Sequence, residues 1–199
     1  MLSVSFIDRT IALMTDSSSS RFPVSGADRR RIVVMGVSGS GKSTIGEAVG
    51  RKLDIPYLDG DTFHPAANIE KMSRGEPLDD TDRAGWLDTL SELLAEYRRD
   101  GRSLLLGCSA LKRHYRDRLR RGDPNLLFIF LDGSFDVILR RMRDRQHFFT
   151  EDMLQSQFDT LETPDNDEAI RIDIDASFDS VIERSAEAVA QRIEQDTSL

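Results

Sequence analysis

The sequence predicts an α/β fold: a parallel five-stranded sheet with helices on both faces. Three observations lead there. Short apolar runs alternate with segments of helical periodicity from about residue 30 onward, the order that builds right-handed parallel crossovers. The apolar run Ile32-Val33-Val34-Met35 passes directly into Gly36-Val37-Ser38-Gly39-Ser40-Gly41-Lys42-Ser43-Thr44, which fills every fixed position of G-x-x-x-x-G-K-[ST] between a strand and a helix. The chain has 199 residues, of which 39% are hydrophobic, enough for one core.

The elements follow in order. After the glycine-rich loop, Ile45, Ala48, Val49 and Leu53 keep helical spacing and pack that helix on the sheet. Residues 56–58 form a short strand that ends in Asp59-Gly60-Asp61, where polar side chains face the ligand crevice of an open α/β sheet. Pro65 opens a helix that Gly75 and Pro77 stop. Trp86, Leu87, Leu90, Leu93, Leu94 and Tyr97 mark the next helix, closed by Asp100-Gly101. Residues 103–106 and 126–131 are the third and fourth strands, separated by a helix over 111–121 with one basic face. Val137, Ile138, Arg141 and Met142 lie on another helix, a further one spans 151–161, and residues 170–174 form the fifth strand. Phe178, Val181, Ile182, Val189 and Ile193 give the last helix its apolar face.

Residues 1–29 read as a flexible N-terminal extension: Asp8 and Arg9 interrupt their apolar stretch, and Ser17 to Ser20 form a linker. Residues 30–199 read as a single domain. The formal charge of −8 argues against a nucleic-acid or membrane-surface partner. No apolar run reaches the length of a membrane span, and the single Cys108 excludes an internal disulfide, which suits a cytoplasmic protein.

The loop carries the first chemistry. Its glycines let successive N–H groups turn inward on an anion, and the following helix adds the positive end of its dipole. Residues 36–44 would therefore hold the phosphates of a nucleotide, with Lys42 reaching the β- and γ-phosphates and the Ser43 hydroxyl ligating Mg2+. The glycine spacing is wrong for a dinucleotide fold, which needs G-x-G-x-x-G.

The blocks that narrow the reaction are Leu58-Asp59-Gly60-Asp61-Thr62-Phe63-His64-Pro65, Asn68-Ile69-Glu70-Lys71-Met72, Gly75-Glu76-Pro77-Leu78 and Asp80-x-Asp82-Arg83-x-x-Trp86-Leu87. With Cys108-Ser109-Ala110-Leu111-Lys112-x-x-Tyr115-Arg116 and His147-Phe148-Phe149, the sequence resembles the gluconokinase family over about residues 32–164. That family transfers the γ-phosphate of ATP to the 6-hydroxyl of D-gluconate on the P-loop kinase fold shared with shikimate kinases. The resemblance implies ATP and Mg2+ as cofactors, a substrate-binding insertion over about 62–85, a mobile lid over about 141–150 and a homodimer.

Gluconate carries one carboxylate and a row of hydroxyls, so its pocket needs a forked cation and several acceptors. Lys112 and Arg116, one helical turn apart, are the expected cations, and Asp61, His64, Asn68 and Asp80 the expected acceptors. A cap for His64, a cap or turn for Asn68 and a solvated face for Arg116 stay open. The resemblance to shikimate kinases implies that Asp59 serves the metal and its water shell while Asp61 holds the acceptor hydroxyl. These two carboxylates are therefore expected to do different jobs. Arg141 and Arg145 are the expected catalytic arginines of the lid, because phosphoryl transfer depends on charge stabilisation more than on a base. Gln146 departs from the family pattern, which has glycine before the His-Phe pair.

Two other readings compete. A shikimate kinase would carry a triple glycine where this chain has Gly107-Cys108-Ser109. The other is a nucleotide-binding regulator that has lost catalysis, but Lys42, Ser43, Asp59 and Asp61 are all present, so nothing in the sequence shows such loss.

Overall fold

The computed structural model describes residues 29–143 and 151–197. The expectations for the N-terminal extension, except at Arg29, and for Arg145, Gln146 and His147-Phe148-Phe149 lie outside the described residues.

Strand β1 (Arg31–Met35) is wholly buried and central. It is flanked by β3 (Leu104–Gly107) and β4 (Leu127–Asp132), with β2 (Tyr57–Asp59) and β5 (Ile170–Asp173) at the edges. All four pairings are parallel, as the alternation of elements requires. The three inner strands are buried on both faces, which explains why they read as continuous apolar runs.

Alternation along β1 divides the core. Ile32 and Val34 face α1 (Lys42–Leu53), α5 (Phe135–Arg143), α6 (Glu151–Thr160) and α7 (Phe178–Thr197), through Val49, Ile138, Leu154 and Val189 among others. Val33 and Met35 face α3 (Asp80–Arg99) and α4 (Arg113–Arg120), through Trp86, Leu90, Tyr115 and Leu119. Between β2 and α3 stand a 3-10 turn (Gly60–Phe63) and α2 (Ala66–Ser73).

Helix α3 starts well before its apolar periodicity does. A capping box sets the start: the Asp79 side chain accepts from the Asp82 N–H at 2.9 Å, and the Asp82 side chain accepts from the Asp79 N–H at 2.9 Å. Asp80 and Arg83 are thereby fixed on the first turn, beside the carboxyl ends of the strands. Among the described residues no helix is long and apolar enough to cross a membrane.

Candidate active site

The glycine-rich loop leaves β1 where the sheet order turns back on itself, between β3 on one side and β4 on the other. Gly39 takes φ +79°, and a Cβ there would lie 2.6 Å from Met142 Cγ, so both conformation and space demand glycine. Within the loop the Ser40 N–H donates to Val37 O at 3.3 Å, and Lys42 Nζ donates to the same oxygen at 3.1 Å. Burial pushes the Lys42 pKa down, while the carboxylates of Asp61 and Asp59 act against the shift. A cation held at this cost, next to the orphan amides of the α1 terminus, makes an anion cradle.

Two carboxylates border the cradle. Asp59 at the end of β2 accepts from Ser43 Oγ at 2.8 Å on one oxygen and from the Asp61 N–H at 3.0 Å on the other. A hydroxyl and a carboxylate so close suit a hard cation that keeps water and phosphate as its remaining ligands. Asp61 does not continue the strand as expected; it sits in the 3-10 turn with its side chain 69% exposed. The two aspartates are therefore separated by the turn and not by strand alternation. Gly60 between them lies so close to β3 that a Cβ would be 2.3 Å from Gly107 O, and Trp86 Nε1 donates to Gly60 O at 2.8 Å. This pins the turn to α3.

On the far side of the turn, Asp80 accepts from Lys112 Nζ at 2.6 Å and from the Tyr115 hydroxyl. Those two hydrogen bonds, Lys112 first, hold the Asp80 carboxyl below the usual carboxylate range. Arg83 lies 6.0 Å from the centre of the Tyr115 ring and donates through Nε to Leu78 O at 3.3 Å. Its positive charge also reaches His64, Cys108 and Tyr115, where burial is the larger influence.

The family model described as shikimate kinase matches residues 38–198. The thermoresistant gluconokinase of Escherichia coli K12 is 47% identical over 165 residues, covering 81% of this chain and 94% of that one. The gluconokinase of Gluconobacter oxydans 621H is 42% identical, covering 79% and 90%. The crystal structure of a gluconokinase from Sinorhizobium meliloti 1021 superposes with a TM-score of 0.78 at 41% identity, covering 83% of this chain and 94% of its own. This chain belongs to the gluconokinase family.

Within that family frame the expected site residues separate. Lys42, Ser43, Asp59 and Asp61 lie together at the mouth of the loop, and Asp80 with Lys112 lies across the turn. Arg116 is a correction. It is 1% exposed, with Nε and Nη2 on the two oxygens of Glu168 and Nη1 on the carbonyls of Ala110, Leu111 and Glu162. A guanidinium so committed cannot receive a substrate carboxylate; it ties α4 to the segment after α6. Asn68 is buried too, bracing α2 against α3 through Asp82 O at 2.8 Å and touching His64 Nδ1 at 3.3 Å. His64 stacks on Trp86 with ring centres 4.1 Å apart, and burial pushes its pKa down, so it packs the turn as a neutral ring. Arg141 donates to Ile174 O at the end of β5.

Arg116→Lys keeps the charge and loses the fork, so it should lower stability by about 2 kcal/mol. Chemical denaturation measures that loss, and the KM for gluconate should stay within about twofold of wild type. A large rise in that KM without a loss of stability would return Arg116 to the pocket.

A cation that residue spacing did not single out is Arg83, near the Tyr115 ring. It stands in the acidic run Asp79-Asp80-Thr81-Asp82, where an arginine reads as a partner for neighbouring carboxylates. Its place on the first turn of α3 comes from the capping box, a feature detectable in sequence from Asp79 and Asp82.

Proposed function

We propose that this chain phosphorylates D-gluconate at its 6-hydroxyl with ATP, giving 6-phosphogluconate. What supports the reading is an anion cradle with Lys42 and the Ser43–Asp59 pair, Asp61 in the turn that follows, and across that turn the Asp80–Lys112 pair with Arg83 near the same Tyr115 ring. The names and identities of the relatives support gluconate as the acceptor.

In this mechanism the loop amides and Lys42 hold the β- and γ-phosphates and take up charge as the phosphoryl group moves. Ser43 and Asp59 would hold Mg2+, which would supply charge that neutralises the phosphates. Asp61 accepts the proton of the 6-hydroxyl and aims its lone pair along the line of transfer. Arg83 and Lys112 take the sugar-acid carboxylate, Lys112 turning from Asp80 to do so, and Asp80 receives hydroxyl protons. Proton removal is late because the transition state is loose, so no strong base is needed.

A coupled assay of ADP release with gluconate, shikimate or no acceptor tests the reading. Gluconate should stimulate strongly and shikimate should not; stimulation by shikimate, or by neither, overturns it. Arg83→Ala should raise the KM for gluconate by about tenfold or more while the KM for ATP stays within about twofold. An unchanged gluconate KM would remove Arg83 from the acceptor site.

A further inference from the structure

One backbone donor of the phosphate loop is occupied by a side chain from a distant helix. The Ser38 N–H donates to the side-chain oxygen of Gln157 on α6 at 2.6 Å. Because the donor is a backbone N–H, the amide of Gln157 must turn its oxygen and not its nitrogen to the loop. Loop amides of this kind otherwise serve anions, so Gln157 presents a neutral oxygen to a donor built for a charged one.

Its helix is rigidly seated. Leu154, one turn earlier, is fully buried in the same cluster as Ile138 and Met142, and those two side chains close over Gly39. Phe158 packs against Phe135 with ring centres 5.5 Å apart. Beyond the helix the Glu162 N–H donates to Leu111 O at 3.0 Å, and the Glu162 carboxylate accepts from the Arg113 N–H at 2.6 Å. Gln157 thus reaches the loop from a helix fixed on both sides of it. Sequence reading passes over a lone glutamine among the polar residues of α6, since nothing in its spacing marks it.

We infer that Gln157 is a positioning residue for phosphoryl transfer: its neutral oxygen holds Ser38 N–H, shaping the phosphate loop without placing a negative charge opposite the triphosphate. The inference rests on the kinase reading above and adds to it a residue outside the loop motif. Neutrality is the discriminating feature. A glutamate at this position would accept from Ser38 equally well and would repel the phosphates.

Gln157→Ala and Gln157→Glu separate the two roles. The alanine variant should lower kcat by about tenfold to a hundredfold and raise the KM for ATP, with the KM for gluconate within about twofold. The glutamate variant should keep the wild-type melting temperature yet bind a non-hydrolysable ATP analogue at least about tenfold more weakly, as read by calorimetry without turnover. A residue that only supported the loop would be fully rescued by glutamate. Wild-type analogue affinity in the glutamate variant, or wild-type kcat and ATP KM in the alanine variant, overturns the inference. Should the alanine variant fail to fold, the glutamate arm decides. Should wild-type enzyme release no ADP with gluconate, it is the proposed acceptor that fails, and the calorimetry still reads Gln157.

Discussion

Lys42→Met is expected to lower gluconate-dependent turnover by about a hundredfold or more, equivalent to roughly 3 kcal/mol of lost transition-state stabilisation. The magnitude follows from where the ammonium sits. It is held over the loop by Val37 O at 3.1 Å in a place where burial pushes its pKa down. Desolvation strengthens its field on a phosphoryl group, and a methionine of similar length fills the space without the field. The same desolvation fixes the sign of the stability effect. A lysine whose folded pKa is depressed is charged at a cost to the folded state, so removing the charge should leave the melting temperature unchanged or slightly raised. Turnover and thermal melting, measured side by side, check both halves. Turnover within about tenfold of wild type would mean that the loop does not hold the transferred phosphate.

Much of this architecture was legible in the sequence because it rests on local rules. The strand–loop–helix unit at residues 31–53 depends on β-branched residues, glycines and helical spacing, all close together in the chain. Its consequences in space, a central β1 and a loop at the switch point, follow from parallel connectivity. The acceptor side was less legible because long-range partners decide it. Helical spacing puts Tyr115, Arg116 and Leu119 on one buried face of α4, but only Glu168, 52 residues later, explains how an arginine can be interior there. Arg83 gains its place from the capping box that starts α3 early. Asp61 was less legible too: a continued strand would put it on the same face as Asp59, but the chain enters a 3-10 turn immediately after Asp59 and the period of two no longer applies.

The second large effect tests whether Asp59 and Asp61 divide the work. Asp61→Asn keeps the shape of an exposed side chain but loses the charged acceptor for the sugar hydroxyl. Gluconate-dependent turnover should fall by about a hundredfold, with ATP binding and the slow hydrolysis of ATP in water preserved. Asp59→Asn should behave differently because its carboxylate satisfies two donors at once, Ser43 Oγ at 2.8 Å and the Asp61 N–H at 3.0 Å. An asparagine offers one acceptor oxygen where two are used and turns an NH2 toward the other donor. Ser43 or the turn is then left unpaired, which should weaken the magnesium dependence and damage transfer to gluconate and to water together. The dependence runs one way. Asp59 holds the backbone of Asp61, so its loss disturbs the acceptor site, whereas the Asp61 side chain holds nothing of the Ser43–Asp59 pair. Magnesium titrations of both variants, with and without gluconate, read that asymmetry directly. If Asp61→Asn shifts the magnesium curve as far as Asp59→Asn does, the two carboxylates act as one unit and the separate roles assigned to them are wrong.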